Sequence, residues 1–151
     1  MRRLLKRSIF VLLALLVVIQ FIPVSKTNPP VTREVHWDSA ATRALAQRSC
    51  FDCHSNRTTW PWYVRIAPAS FFMANHVEDG RRDLNFSEWD RPQRSGFDDV
   101  KREVDDGDMP VWSYLPLHPE AQLSAAEKTQ LIDGLKATFL QDPPTLAPRR
   151  R

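Results

Sequence analysis

The sequence is poor in cysteine and glycine, and both scarcities exclude whole classes of site. Its 151 residues include only two cysteines and four glycines. Two cysteines provide no second pair for a four-ligand structural zinc site and leave no spare thiol for a separate disulfide. The sequence contains no glycine-rich phosphate loop, no nucleophile elbow and no internal repeat. The usual signatures of nucleotide binding and ester hydrolysis are therefore missing.

The chain also lacks a basic surface pattern, although its formal net charge is +3. Residues Val35–Pro148 carry 12 Lys and Arg against 17 Asp and Glu, which gives this stretch a net charge of −5. The positive charge is concentrated between Arg2 and Arg7 and in the triplet Arg149–Arg151. Because no basic face is interleaved with aromatic side chains, binding to DNA or RNA is excluded. We interpret the C-terminal triplet as a solvated tail, with contact to anionic lipid head groups as the alternative.

The chain has one long hydrophobic run, and it lies at the N-terminus. Ile9–Ile22 is almost entirely apolar and follows a basic cluster, which is the pattern of an export signal with its positive end in the cytoplasm. The run Ser8–Val24 is near the lower limit of about 17 residues for a spanning helix, and no small-x-small cleavage pattern follows it. We predict a signal anchor over residues 1–24, with a cleaved signal peptide as the alternative. A buried core helix is disfavoured because the run is apolar on every face.

The two cysteines belong to the segment Cys50-Phe-Asp-Cys-His54. This pattern is the attachment signature of c-type haem, in which each thiol adds to a vinyl group and the histidine supplies the proximal iron ligand. A thiol–disulfide redox site normally opens a helix after a strand, and no strand pattern precedes Cys50. A zinc site would need a second cluster, which the other three histidines do not form. We predict one covalent haem c attached to Cys50 and Cys53, with His54 on the iron.

Helical periodicity and capping residues predict a small all-α domain with long loops. The predicted helices cover Ala40–Ser49, about Pro68–Asp79, Phe97–Asp106 and a final segment between Ser124 and Pro143. Ser39, together with Asp38, caps the first helix, while Gly80 and Gly107 are placed to end the second and third. Ser124 and Glu127 form a capping box for the last helix. The predicted organisation is a signal anchor or signal peptide over 1–24, a linker over 25–34, a haem-binding domain over 35–143 and a basic tail over 144–151.

Several short segments occur in a characteristic order. They are Cys50–Asn56, Thr59–Tyr63, Gly80-Arg81, Leu84–Trp89, Met109-Pro110 and Leu117–Ala121. The order of haem motif, helices, Met-Pro pair and closing amphipathic helix resembles a class I cytochrome c. The segments themselves resemble a bacterial family of exported haem-binding domains over roughly Val35 to Leu140. The resemblance implies a covalently attached haem in a single-pass protein of the bacterial inner membrane, with the haem domain in the periplasm.

Met109 is the predicted distal iron ligand. By its resemblance to the Met-Pro loops of cytochromes, its thioether would be held by the helix end at Gly107 and stiffened by Pro110. The alternative is a hydrophobic plug after a helix. His76 and His118 are the rival ligands, although each also suits a structural role. We expect His36 to lie at the surface and Met73 to pack in a helix core.

Other residues are candidates for contacts around a haem. Trp60 and Trp112 lie near the two proposed ligands in sequence and could pack on the ring, whereas ordinary core packing is favoured for Trp37 and Trp89. Arg57 and Arg65 could pair with propionates, although an exposed arginine is the commoner outcome. The second ring nitrogen of His54 is expected to bond to a backbone carbonyl from Pro61–Pro68.

A run of acidic residues precedes Met109. Such a run usually indicates a helix face that is exposed to solvent. Its residues are Asp98, Asp99, Glu103, Asp105, Asp106 and Asp108. The alternative role is a docking patch for a basic redox partner protein at the membrane surface. The leading functional expectation is an electron carrier that needs no catalytic residue. The alternatives are a haem-based sensor or ligand-binding module with a labile distal ligand, and a thiol–disulfide redox protein.

Overall fold

The computed structural model of the chain describes residues 1–148. Within that range the chain forms short 3₁₀ turns, two isolated β-bridges, no strand and a series of α-helices. The helices are α1 (Arg2–Val18), α2 (Ala40–Ser49), α3 (Phe51–His54), α4 (Ala69–Asp83), α5 (Phe97–Asp106) and α6 (Ala125–Gln141). The prediction of a small all-α protein with long loops is confirmed. The last three residues of the predicted basic tail, 149–151, lie outside the described residues.

The chain divides into two compact units. The first combines Met1–Thr27 with Trp60–His76, and the second combines Asn28–Thr59 with the described residues from Val77 onward. Helix α4 contributes residues to both units. The predicted haem motif and the predicted distal methionine both fall in the second unit.

The first unit contains the apolar N-terminal helix. The segment Arg2–Phe21 is 20 residues long with a mean hydropathy of 2.2, and none of its most apolar window is buried. It is long and apolar enough to cross a membrane, and a signal sequence near the N-terminus would have the same properties. At its end the Gln20 side chain accepts from the Ala67 N–H at 2.9 Å and donates to the Ala67 carbonyl at 3.2 Å.

An aromatic cluster forms the core of the second unit. Phe86 lies 5.0 Å from Trp37, 5.9 Å from Phe51 and 6.0 Å from Trp89 between ring centroids. Phe139 of α6 meets Trp89 edge-on at 5.2 Å. These separations are typical of favourable aromatic pairs. Trp89 is therefore buried in the core and Trp37 packs against it partly buried, as the sequence favoured, and Phe51 anchors the predicted haem motif to this core.

Helices α2 and α6 approach each other closely at Gly134. A Cβ atom added to Gly134 would lie 2.0 Å from Oγ1 of Thr42, so only glycine fits at this crossing. Ser39 caps α2 and Ser124 caps α6 with the predicted Glu127 capping box. The predicted starts of both helices are confirmed, and the α2–α6 pair supports the motif that follows α2.

Helix α4 differs from its prediction. It was expected to end at Gly80, but it continues to Asp83 with Gly80 buried inside it. The reason is packing, because a Cβ at Gly80 would lie 2.5 Å from the carbonyl oxygen of Cys53. Glycine at this position allows α4 to lie against the haem motif and does not terminate the helix.

Candidate functional site

The Cys-x-x-Cys-His segment forms one helical turn directly after α2. The Cys50 N–H donates to Ala46 O at 2.8 Å, and the His54 N–H donates to Cys50 O at 2.8 Å. Residues four apart in a helix lie on the same face, so Cys50 and His54 point to the same side. Both line one cavity, whereas Phe51 is buried in the aromatic core. The short helix α3 therefore presents the motif to the cavity from a fixed base.

The imidazole of His54 is held by two backbone carbonyls. Its Nδ1 lies 3.0 Å from Gly80 O and 3.0 Å from Leu84 O. The expected partner in Pro61–Pro68 was wrong, because the last turn of α4 and the residue after the helix place the Gly80 and Leu84 carbonyls beside Nδ1. Carbonyl oxygens only accept hydrogen bonds, so Nδ1 carries the proton.

The surroundings of His54 also favour its neutral form. Burial lowers the pKa of His54, and the hydrogen bonds to Leu84 and Gly80 oppose that effect. A neutral ring with its proton on Nδ1 has its lone pair on Nε2. A hydrogen bond that fixes one ring nitrogen is the usual arrangement for a histidine that binds a metal through the other. His54 is therefore in the protonation state that an iron ligand requires.

Polar contacts hold the chain that follows the motif. Arg81 of α4 donates to Ser55 O at 2.8 Å and to Thr58 Oγ1 at 2.8 Å. Further along, buried Asn85 bonds to the Asn56 side chain at 2.9 Å. These contacts fix the segment after His54 against α4 and the loop that follows it.

A cavity of about 420 Å³ opens beside the motif. This volume lies in the range of about 300–1,000 Å³ that is typical of small-molecule and cofactor sites. Its apolar wall consists of Leu84, Phe86, Val100, Val104, Leu123, Leu131 and Leu135. Cys50, His54 and Met109 also line it. The structure thus brings together three of the four predicted haem-site residues, and Cys53 adjoins them within the same helical turn.

Met109 reaches the cavity through the end of α5. Gly107 has φ of +82°, in the left-handed region that favours glycine, and it ends the helix as predicted. The Met109 N–H then donates to the carbonyl of Glu103 at 3.0 Å. This turn fixes the backbone of the residue whose thioether is the predicted second ligand. Met109 lies 55 positions from His54 in the sequence, and both line the same cavity.

The rival histidines have other partners. His76 belongs to the first unit, where its Nδ1 bonds to Phe72 O at 2.8 Å. His118 stacks on Tyr114 with ring centroids 3.8 Å apart and pairs with Glu120 at 3.1 Å. Neither lines the cavity of the second unit. His36 is exposed and Met73 is buried, as expected.

Both cysteines are free thiols in desolvated surroundings. Burial raises the pKa of Cys50, and burial together with Asp52 and Cys50 raises the pKa of Cys53 to about 12. The thiolate is the form that attacks disulfides. At neutral pH both side chains are therefore protonated, unlike the activated cysteine of a thiol–disulfide exchange protein.

Two of the residues suggested as outer contacts of a haem, Arg57 and Trp112, do not line the cavity. Arg57 pairs with Glu34 at 2.9 Å, and Arg65 is exposed in the first unit. Trp112 is 79 % exposed and does not line the cavity. Trp60 belongs to the first unit, and its packing on a haem stays a prediction. Sequence reasoning missed the two arginines that do line the cavity, Arg94 and Arg102. Arg102 is two residues from both Val100 and Val104, which is not the spacing of a shared helix face, so no local signal indicated it.

The residues present fit a haem. An apolar wall suits a porphyrin ring, and an imidazole with a free Nε2 lone pair and a thioether are common axial donors to haem iron. In agreement with this donor set, residues 14–137 match the family model described as a haem-binding domain. No curated protein and no solved structure matches the chain significantly. Because the matched range covers well over half of the sequence, the chain belongs to the family of haem-binding domains.

Proposed function

We propose that the protein is a membrane-tethered c-type cytochrome that carries electrons on the periplasmic side of the bacterial inner membrane. Cys50 and Cys53 attach one haem covalently, and His54 and Met109 ligate its iron. Haem bound in this way supplies reversible one-electron chemistry. With both axial positions filled by protein, the role is electron transfer to partner proteins at the membrane surface. No catalytic residue is needed for it.

The presence of His54 and Met109 on the same cavity carries this proposal. The two donors come from helix ends 55 residues apart, and each is held by backbone hydrogen bonds. Together they favour six-coordinate iron with Met109 as the second ligand. His76 and His118 are less suitable as that ligand, because both have partners elsewhere. A thioether opposite an imidazole raises the potential relative to two imidazoles.

The N-terminal helix supports the membrane location. Basic residues precede its apolar stretch, which favours an orientation with the N-terminus in the cytoplasm. Export also places the cysteines in the compartment where c-type haem is attached in bacteria.

Covalent attachment is tested by producing the full chain with the haem-attachment machinery. The denatured protein is then examined by its pyridine haemochrome spectrum, with Cys50→Ala and Cys53→Ala together as the control. Haem that remains attached after denaturation, and is lost in the control, is the expected result. Colourless protein with two titratable thiols would overturn the proposal in favour of the thiol–disulfide alternative.

Axial ligation is tested by the weak far-red absorption band of methionine-bound ferric haem. We expect this band in the parent protein and its loss in Met109→Leu, which removes the sulfur with little change of volume. Met73→Leu is the matched control, because Met73 is buried in the first unit. A band that persists in Met109→Leu contradicts the ligand assignment. Its absence from the parent, with carbon monoxide binding to ferrous haem, supports the sensor alternative.

Topology is tested by fusing a reporter enzyme that is active only after export to the end of the chain. Reporter activity with retention in alkali-washed membranes is expected for a signal anchor. Release of a shortened soluble chain shows a cleaved signal peptide, and an inactive reporter contradicts export altogether.

A further inference from the structure

The cavity has an apolar wall, but its charged lining comes almost entirely from one stretch of chain. Arg94, Asp99, Arg102 and Glu103 line it from the loop before α5 and from α5 itself. Asp83, at the end of α4, is the remaining charged neighbour. The site is therefore amphipathic, with charged residues concentrated along residues 94–103.

Two arginines are the cations of this lining, among the described residues that form the cavity. Arg94 and Arg102 have side chains that are 57 % and 59 % exposed. Arg94 approaches Asp83 only to 3.6 Å, and Arg102 approaches both Asp99 and Glu103 only to 3.4 Å. Ion pairs this long and this exposed contribute little, so both guanidinium groups can exchange these partners for a better anion.

A haem has the complementary distribution of polarity, since two propionate carboxylates project from one edge of an apolar ring. We propose that Arg94 and Arg102 bind the two haem propionates at this cavity. Guanidinium groups recognise carboxylates through paired N–H donors, which favours them over other cations for this task. The inference rests on the placement of the haem between His54 and Met109 described under the proposed function.

The acidic neighbours do not remove the arginines from this role. Asp99 is committed to the start of α5, where it accepts from the Gly96 N–H at 3.1 Å. Its second carboxylate oxygen is the atom that Arg102 reaches at 3.4 Å. Arg57, one of the two arginines that the sequence suggested, is instead engaged with Glu34 at 2.9 Å.

The test uses the full-length holoprotein and measures its reduction potential as a function of pH. Arg94→Gln and Arg102→Gln are compared with Arg82→Gln, an exposed arginine of α4 that pairs with Asp79 and does not line the cavity. An opposite charge within about 4–6 Å lowers a carboxyl pKa by about 1–3 units. We therefore expect the pH-dependent step of the potential to move upward by about one unit in each cavity variant. At pH values above that step, the reduction potential of each cavity variant should be lower than that of the parent protein, because a positive charge near the iron has been removed.

Resonance Raman spectroscopy supplies a readout that does not depend on electron exchange. The propionate bending bands are expected to shift in Arg94→Gln and Arg102→Gln but not in Arg82→Gln. Arg94→Lys and Arg102→Lys keep the charge but lack the paired N–H donors. Their reduction potentials should therefore return towards the parent value, while their propionate Raman bands should return less. Unchanged pH profiles and Raman bands in both Gln variants would overturn the inference.

The two proposals fail differently. Loss of the proposed function appears as absent covalent haem or an absent methionine band in the parent protein. Failure of the propionate assignment appears as an intact parent spectrum with no response to either cavity arginine. If a Gln variant attaches no haem, the corresponding Lys variant is measured in its place. Its propionate Raman bands must still differ from those of the parent protein if the guanidinium contacts the propionate.

Discussion

The hydroxyl of Tyr114 donates a hydrogen bond to the carboxylate of Asp52. Asp52 lies between the two cysteines, and its other carboxylate oxygen accepts from the Thr59 N–H at 2.8 Å. Tyr114 follows Met109 by five residues. The Tyr114 side chain therefore connects the segment that carries the proposed distal ligand to the helical turn that carries the proposed attachment site.

Tyr114→Phe removes this hydrogen bond and leaves the ring in place. We expect covalent haem to be retained, because neither cysteine nor His54 is altered. On heating, the methionine band of the variant should disappear at a lower temperature than that of the parent protein. The expected loss of stability is about 1 kcal/mol, the contribution of a half-buried hydrogen bond to a carboxylate. The measurement is thermal loss of the far-red band, with Tyr63→Phe, at the other tyrosine, as the control. Equal midpoints in both variants would show that Tyr114 does not restrain Met109.

Gly80→Ala tests the close contact between α4 and the haem motif. The new Cβ would lie 2.5 Å from the Cys53 carbonyl oxygen, and this backbone atom cannot rotate away. We expect a loss of stability of about 1–3 kcal/mol from overpacking, which exceeds the gain of about 1 kcal/mol in helix propensity. The yield of attached haem should fall as well, because the Gly80 carbonyl bonds to His54.

The matched control for Gly80→Ala is Gly96→Ala. A Cβ at Gly96 would meet only Leu146 Cδ atoms, at 3.5 Å and beyond, with φ of −94°. Urea unfolding of the two holoproteins gives the comparison. Similar midpoints for Gly80→Ala and the parent chain would mean that the contact at Cys53 relaxes easily.

Gly107→Ala isolates a backbone effect, because no atom lies within 4 Å of the added Cβ while φ is +82°. A left-handed conformation costs a non-glycine residue about 1–2 kcal/mol, and asparagine tolerates it better than alanine. We expect stability in the order Gly, Asn, Ala, measured by urea unfolding, with weakening of the methionine band in the same order. Equal behaviour of the Asn and Ala variants would point to a cause other than φ.

Acid stability should depend on Glu127. The Ser124 N–H and the Arg48 guanidinium donate to its carboxylate at 2.8 and 2.7 Å, and these bonds lower its pKa from 4.5 to about 2. A carboxyl with a lowered folded pKa stabilises the folded state above the unfolded pKa and loses that contribution as pH falls through the folded pKa. The contribution is thus present above pH 4.5 and disappears towards pH 2.

Glu127→Gln should therefore lower the free energy of unfolding at neutral pH and flatten its decline between pH 4.5 and about 2. Glu78→Gln, at an exposed glutamate of α4, is the control. The measurement is urea unfolding across this pH range. A Glu127→Gln variant whose stability declines as steeply as that of the parent chain would refute the role of this carboxylate.

Local signals predicted local structure well. Ser39, Ser124 with Glu127, and Gly107 each act on backbone groups within a few residues, so their helix starts and stop could be predicted from sequence alone. The spacing of Cys50, Cys53 and His54 is equally local, because one helical turn carries the whole pattern. These features need no knowledge of what packs against them.

Contacts between distant segments could not be predicted in the same way. Gly80 has the residue type of a helix end, and only the position of Cys53 reveals that its missing side chain serves close packing. For the same reason the predicted hydrogen-bond partner of His54, a carbonyl in Pro61–Pro68, was wrong, and the observed partners lie at the end of α4 and directly after it. The ion pair of Arg57 with Glu34, which joins residues 23 positions apart, was likewise not visible in the sequence, where Arg57 was only a candidate partner for a propionate.

The two carbonyls over Nδ1 of His54 have a consequence for the speed of electron exchange. The polypeptide orients this ring through its own backbone, so the orientation does not depend on the charge of the metal. In the proposed cytochrome, His54 would therefore present the same Nε2 lone pair in both oxidation states, and reorientation of this ring would not gate electron exchange.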